Sequence, residues 1–403
     1  MKAFIKEEVY KSTLEYFEGD DLATNVWLTK YALRDLEDNY FELNPDDMHL
    51  RLANEFARIE NKYENPMTSQ EIYELFKGFK FVVPQGSPMS GIGNQHQIQS
   101  LSNCFVIESP HDSYGGILKT DQEQVQIMKR RGGVGFDISN IRPRGVTCKN
   151  AARTTDGIEL FMERFSNSCR EVAQGGRRGA LMISISVHHP QILDFVKIKR
   201  DLKKVTGANI SVRISDKFMK AVQTDGEYTQ QWPIESENPE IKYQVKASEV
   251  WDEIINSAHT SAEPGILFWD TATRNTPSDI YSDEGFASTS TNPCGEIILS
   301  PNDSCRLMLV NLTNFVDNPW TDKAKFDIGN YKSVVRKAQR LMDDMIDLEI
   351  EQINKILKKI NTDPEPDDVK NIEKKLWLKI KKAAEQGRRT GLGVTGVGDT
   401  IAM

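Results

Sequence analysis

ALMISISVHHPQILDFVKIKRDLKKVTGANISVRIS, residues 180–215, opens and closes on short runs of apolar and β-branched residues, 180–187 and 208–215, with a helix candidate at about 190–200 between them. Strand, helix, strand is the signature of two parallel strands, which a tight turn cannot join. The same texture extends in both directions. "FKFVV", "CFVIE" and "GVGFDIS" lie upstream, and "GILFWD" and "RLMLVNL" lie downstream. Helix candidates near 113–131, 155–173, 215–223 and 246–261 alternate with them. Strands alternating with helices predict an α/β architecture with parallel strands from about residue 80.

The flanks read differently. Residues 1–78 form a helical segment, and 79–403 a second unit. "NPDDMHLRLANEFARIENKY" starts with the capping types Asn44 and Asp46, and Met48, Leu50, Leu52, Phe56 and Ile59 form an approximate apolar face. Thr68 with Glu71 makes a capping box before another helix. A long helical pattern runs from Asp327 to about Lys359, "PEPDD" breaks it, and a further helix reaches about Gln386. The last stretch, "GRRTGLGVTGVGDTIAM", reads as glycine-rich turn chemistry followed by the opening of a new element. No internal repeat or low-complexity linker stands out.

The chain has 403 residues, 38% hydrophobic and 27% charged, with a net charge of −8. That composition supports a sizeable core. The acidic balance lacks the footprint of a nucleic-acid binder. The basic stretch Lys374–Lys382 is interleaved with apolar residues at helical spacing and reads as a solvated helix face. "MKAFIKEEVY" has no apolar core of a signal peptide, and no apolar run is long enough to span a membrane. Five cysteines at wide spacing make neither a disulfide framework nor a zinc motif. The expectation is a cytoplasmic protein with reduced thiols and no membrane partner.

Gly391, Gly393 and Gly396 satisfy GxGxxG, but a helix end and not a strand precedes them, which argues against a dinucleotide site. Two other stretches are better anion candidates: "KRRGGVGFDISNIRPRG" with Arg131, Arg142 and Arg144, and "AQGGRRGA" with Gln174, Gly175, Gly176, Arg177 and Arg178. Glycine lets backbone N–H groups approach an anion, and arginine adds charge-assisted contacts. The alternative is a pair of surface turns. His188 and His189 read as polar capping, with no further ligand spacing for a metal.

In "NPCGE", Asn292, Cys294 and Glu296 alternate, so an extended segment would project an amide, a thiol and a carboxylate to one side. Cys305 and Cys104 each open a strand candidate. Side by side, such strands could bring the sulfurs to bonding distance; otherwise all three cysteines are small buried hydrophobes. Cys148 and Cys169 are assigned to the second reading.

Seven motifs in one order now carry a resemblance: "VPQGSPMSGIGN", "LSNCFVI", "KRRGGVGFDISNIRPRG", "AQGGRRGA", "NPCGE", "SCRLMLVNL" and "GRRTGLGVTG". From about residue 20 to its end the chain resembles the catalytic large subunit of ribonucleotide reductase. The resemblance implies an α/β fold: the N-terminal part of a ten-stranded α/β barrel, preceded by a small helical segment, with a finger loop near 288–300. It implies reduction of a ribonucleoside diphosphate to the deoxyribonucleotide by radical chemistry. Cys294 would be the thiyl site, Glu296 the base for the 3′-hydroxyl, and Asn292 a holder of substrate hydroxyls. Cys104 and Cys305 would be the redox pair, re-reduced by thioredoxin or glutaredoxin. Ser87 and Asn103 would contact substrate. Asp112 and Arg142 would bind an effector, a deoxynucleoside triphosphate or ATP, at the interface of a homodimer. Gln174, Gly175, Gly176, Arg177 and Arg178 would be the loop linking effector to substrate base. In an enclosed site the Glu296 carboxyl should titrate high.

The departures matter as much. The helical segment is too short for the family's ATP cone. The family's sequence after "GLGVTG" is not here, so the resemblance implies a split enzyme completed by a second polypeptide, or a fragment. No cofactor is expected on this chain. "SNCFVIESPHDSYGG" and "SPNDSCRLML" look more like class I, whose radical comes from a separate metal-containing small subunit, than like class II, which uses adenosylcobalamin. The rival function is a non-catalytic nucleotide-binding regulator or relic.

Overall fold

The computed structural model describes residues 2–172 and 179–403. Its main sheet has six strands in the spatial order Ser304–Cys305, Cys104–Val106, Gly133–Asp137, Leu181–Ser186, Asn209–Ile214 and Gly265–Phe268. The last five run parallel, and Ser304–Cys305 is antiparallel to its neighbour. The crossovers are the helices Tyr114–Met128, Ile158–Glu171, Ile192–Lys197 and Ala247–Ser261. Strands 133–137 and 181–186 are buried nearly throughout, as strands covered on both faces are. One core cluster lies here, where Val134, Phe136, Ile183, Ile185, Ile210 and Val212 meet the helices.

A second sheet places Leu307–Asn311 between Val82–Pro84, antiparallel, and Gly391–Thr395, parallel. The glycine-rich tail was expected to be turn chemistry. It is a strand, because Gly391 and Gly393 let it lie against Leu307 and Leu309. The helix Val397–Ala402 follows it.

The N-terminal helices Lys6–Tyr16, Asp21–Lys30, Pro45–Glu60 and Ser69–Phe76 share a core with this second sheet and with the first half of the long helix Ile328–Thr362. Asn44 caps its helix by accepting from Asp46 N–H at 2.9 Å, and the Thr68–Glu71 capping box forms. Met48, Leu52, Phe56 and Ile59 are fully buried; Leu50 is exposed, because its position falls off the stripe the other four share. The hairpin Glu227–Trp232 with Ile241–Lys246 had no sequence expectation. Its strands alternate but carry mostly polar residues, so their apolar signal is weak.

Two carboxyls meet in the second core. Glu60 and Asp344 are buried side by side, and Glu60 also accepts from Arg340 Nε at 2.6 Å and from Met67 N–H at 2.7 Å. Burial first, then the bond to Glu60 and its charge, pushes Asp344 up to about 8. Asp344 therefore stays protonated in the fold at pH values where the unfolded chain, at about 3.9, has lost the proton. The stability it contributes is complete below about pH 4, declines as pH rises, and is gone above about 8. We expect denaturant unfolding of the native chain to lose up to about 1.4 kcal/mol per pH unit across that window from this group. Asp344→Asn should flatten the slope; equal slopes in the two proteins would refute the assignment.

Candidate active site

The segment Ser290–Leu299 is a two-rung hairpin, with Thr291 opposite Ile298 and Ser290 opposite Leu299. Its tip is closed by Asn292 N–H to Ile297 O at 3.3 Å and Gly295 N–H to Asn292 O at 3.0 Å, with Gly295 at φ +82°. "NPCGE" is thus a turn and not an extended run. Asn292 is fully buried while Cys294 and Glu296 are exposed, so the alternation argument does not hold. Nor is the thiol enclosed: Cys294 is exposed, and the loop lies on the face of the main sheet.

Glycine makes room for this loop. A Cβ on Gly135 would overlap the Thr291 carbonyl, and one on Gly133 would sit 2.9 Å from Pro293 Cγ. Gly133 and Gly135, read as part of an anion cradle, therefore belong to a strand, and their missing side chains form the slot in which residues 291–293 lie. Asn209 Nδ2 donates to Pro293 O at 2.7 Å. At the loop's base, the Ser184 and Ser290 hydroxyls are 2.9 Å apart. Asp137 accepts from Ser184 at 3.0 Å and pairs with Arg213 at 3.2 Å, and Arg213 also donates to Thr289 O at 3.3 Å.

Cys104 and Cys305 are opposite one another in the antiparallel register. Both are buried, and no disulfide joins them. A hydrogen bond with Cys104, then burial and the Glu296 charge, raises Cys305 well above the ordinary thiol range. The carboxylate at the loop tip is thus within electrostatic reach of the dithiol. Asn103, next to Cys104, accepts from Ser87 N–H at 2.8 Å. Ser87 Oγ, Asn103 Nδ2 and Asn292 Nδ2 are buried without a partner among the described residues. Orphaned buried polar atoms are rare and call for an explanation. Three of them on residues expected to hold substrate suit a polyhydroxylated ligand.

A separate cavity of about 410 Å³ is lined by Asp112, Tyr114, Arg142, Cys148, Lys149 and Phe161, among others. Arg142 Nε and backbone N–H both donate to the Asp112 carboxylate, at 2.7 and 2.9 Å, and this pairing raises the guanidinium pKa. Arg142 Nη1 also lies 3.5 Å from Cys148 Sγ. Cys148 was expected in the core; it is partly exposed and faces this cavity. Cys169 is buried as expected, and burial pushes its thiol up to about 11. Arg131 and Arg144 are not gathered here. Arg131 reaches Lys30 O at 3.1 Å, and Arg144 pairs with Glu159 at 3.0 Å. Gln174, Gly175, Gly176, Arg177 and Arg178 lie outside the described residues.

His189 is fully buried, with Nε2 2.9 Å from Ile141 O, and burial lowers it to about 4. His188 bridges Thr229 O and Ser215 Oγ. Both histidines hold backbone and hydroxyl groups together. Among the described residues no group of three or more His, Cys, Asp or Glu side chains is placed to hold a metal ion, and no helix is long and apolar enough to cross a membrane. The sequence reading missed Arg213, Asp137 and Arg306; only the charge of Arg306 inside the apolar run "RLMLVNL" could have drawn attention.

Comparison with known proteins agrees with this geometry. The family described as ribonucleotide reductase, barrel domain, matches residues 102–403. A vitamin B12-dependent ribonucleoside-diphosphate reductase of Thermoplasma acidophilum is 32% identical over 346 residues, 85% of this chain and 38% of that protein. One from Mycobacterium tuberculosis is 28% identical over 386 residues, 94% of this chain and 50% of that protein. A ribonucleoside-diphosphate reductase large subunit of Variola virus is 28% identical over 307 residues, 69% of this chain and 38% of that protein. The chain spans about half or less of the length of these relatives. With the barrel-domain match over three quarters of its residues, and Cys104 opposite Cys305 on one sheet, the chain belongs to the ribonucleotide reductase family.

Proposed function

We propose that this chain carries the reducing half of a ribonucleoside-diphosphate reductase site. The observation that carries the reading is the direct register of Cys104 and Cys305 beside three orphaned donors, on Ser87, Asn103 and Asn292. Those donors hold the ribose hydroxyls. Cys294 takes the 3′ hydrogen as a thiyl radical and returns it at the end of the cycle, which restores the radical, and Glu296 takes the 3′-hydroxyl proton and gives it back. The 2′-hydroxyl leaves as water with a proton from the dithiol, and the two electrons and the second hydrogen come from Cys104 and Cys305, which close to a disulfide. A small external dithiol protein of the thioredoxin or glutaredoxin type restores them. The initiator that oxidises Cys294 comes from outside the described residues. Vitamin B12 appears in the names of two relatives above, which favours adenosylcobalamin over the separate metal-containing subunit. The Asp112–Arg142 cavity takes a deoxynucleoside triphosphate or ATP, its volume being within the range of small-ligand sites. The homodimer and the action of Gln174–Arg178 on the substrate base belong to the same proposal.

The test is co-expression with a polypeptide carrying the remaining barrel, followed by a deoxynucleotide assay with nucleoside diphosphates and dithiothreitol. Adenosylcobalamin and a radical-generating small subunit are added in separate arms. Product in one arm supports the reading and names the initiator. Deoxynucleotide binding without product in either arm overturns it in favour of a non-catalytic regulator.

A further inference from the structure

The barrel-domain match begins at residue 102, yet one of the N-terminal helices before it reaches the candidate site. Arg51 stands on the helix Pro45–Glu60. Its side chain is 10% exposed and that of Glu42 3%, so water and salt screen their attraction little. Arg51 Nε donates to Glu42 at 2.7 Å, and the other Glu42 oxygen accepts from Leu33 N–H at 2.7 Å. That pair already neutralises the arginine. Its two other nitrogens go elsewhere: Nη2 donates to Met89 O at 3.0 Å and Nη1 donates to Ile92 O. Both carbonyls belong to the closing turn of the buried five-residue helix Ser87–Gly91.

A helix this short does not hold itself together, and its last carbonyls need partners from outside. Pro88 O accepts from Ile92 N–H at 3.1 Å, Gly91 O from Asn94 N–H at 3.1 Å, and Ser90 O from Asn94 Nδ2 at 3.0 Å. Met89 O goes to Arg51, whose charge also suits a helix C-terminus. Gly93, at φ +71°, lets the chain pass against the arginine stem: a Cβ there would lie 2.8 Å from Arg51 Cγ. The start of the helix is fixed from the barrel side, by Ser87 N–H to Asn103 Oδ1 at 2.8 Å and Gln85 N–H to Leu307 O at 3.1 Å. We propose that Arg51 is a positioning residue for substrate binding: it fixes the far end of the helix Ser87–Gly91 and thereby aims the Ser87 hydroxyl. The inference rests on the reading of Ser87 as a substrate contact. One anchor leaves a single turn free to rotate about it, and the Ser87 side chain rotates with it; two anchors do not. A hydroxyl that holds the ribose in ground state and transition state alike contributes to KM and not to kcat.

The test uses the complemented enzyme, with whichever initiator gives native product and each of the four ribonucleoside diphosphates as substrate. Arg51→Ala should raise KM about tenfold or more and keep kcat within about threefold. Loss of folded protein alone would lower kcat and leave KM. Arg340→Gln is the control: it breaks the 2.6 Å ion pair with buried Glu60 in the same core, and should lower the melting temperature with KM unchanged. On the whole chain by itself, amide exchange at Ile92 and Asn94 should speed about tenfold in Arg51→Ala while the helix Pro45–Glu60 stays protected. Native KM in Arg51→Ala, native exchange at Ile92 and Asn94, or an equal KM rise in Arg340→Gln each overturns the inference and leaves the reductase reading standing. No product from the native enzyme overturns that reading and the inference with it. Should Arg51→Ala not fold, because Glu42 is left buried and unpaired, Arg51→Met combined with Glu42→Gln buries no charge and decides by the same two readouts.

Discussion

Gly135→Ala is expected to cut turnover of the complemented enzyme by about 100-fold or more while leaving the main sheet folded. The new Cβ would overlap the Thr291 carbonyl and lie 3.0 Å from its carbon and 3.5 Å from Asn292 Cα. All three are backbone atoms, so no side chain can rotate away. The strand 133–137 cannot yield either, since it is hydrogen-bonded on one side to 104–106 and on the other to 181–186. The hairpin that must move has only two rungs. Displacing it shifts Asn292, Cys294 and Glu296 together, and a shift of about 1 Å in reacting groups can cost about 10²-fold. Overpacking of this kind costs about 1–3 kcal/mol in stability, which a thermal melt would register separately. Gly133→Ala should be milder, because it meets the Pro293 ring and not backbone. Native-level turnover in Gly135→Ala would mean that the loop is not held in the slot during catalysis.

Cys305→Ser is expected to abolish multiple turnover under every reductant. A hydroxyl cannot form the disulfide with Cys104, its partner across the antiparallel register, so the two electrons have no source. The change replaces one atom, and the strand pairing should survive it. Cys169→Ala is the control: that thiol is buried in the main core away from the loop, and its loss should change stability but not turnover. Steady-state product formation checks both. Turnover by Cys305→Ser would remove the redox pair from the mechanism.

The order of elements was legible because strand and helix leave different periods in the residues. The seven apolar runs from "FKFVV" to "RLMLVNL" are all at or within strands or their edges, and the caps at Asn44 and Thr68 formed with the partners their spacing implied. The polar hairpin 227–246 and the strand Gly391–Thr395 were not legible. In the first the alternation carries few apolar residues. In the second, glycine reads as a turn until a neighbouring strand is there for it to approach closely.

The candidate site divides in the same way. The sequence by itself determined which residue types were available: a cysteine at the head of each of two strands, and a thiol, an amide and a carboxylate in one short loop. Motif order was enough to place those residues in a family. Only the tertiary structure decided that Cys104 and Cys305 face each other, since register depends on strands remote from one another in the chain coming together. It alone decided that Gly133 and Gly135 are a slot and not an anion cradle, that Asn292 is buried while Cys294 and Glu296 are exposed, and that Arg306 is completely buried. Local spacing reports the faces of a single element. Which faces meet, and which charges are cut off from water, is settled by packing between elements remote in sequence.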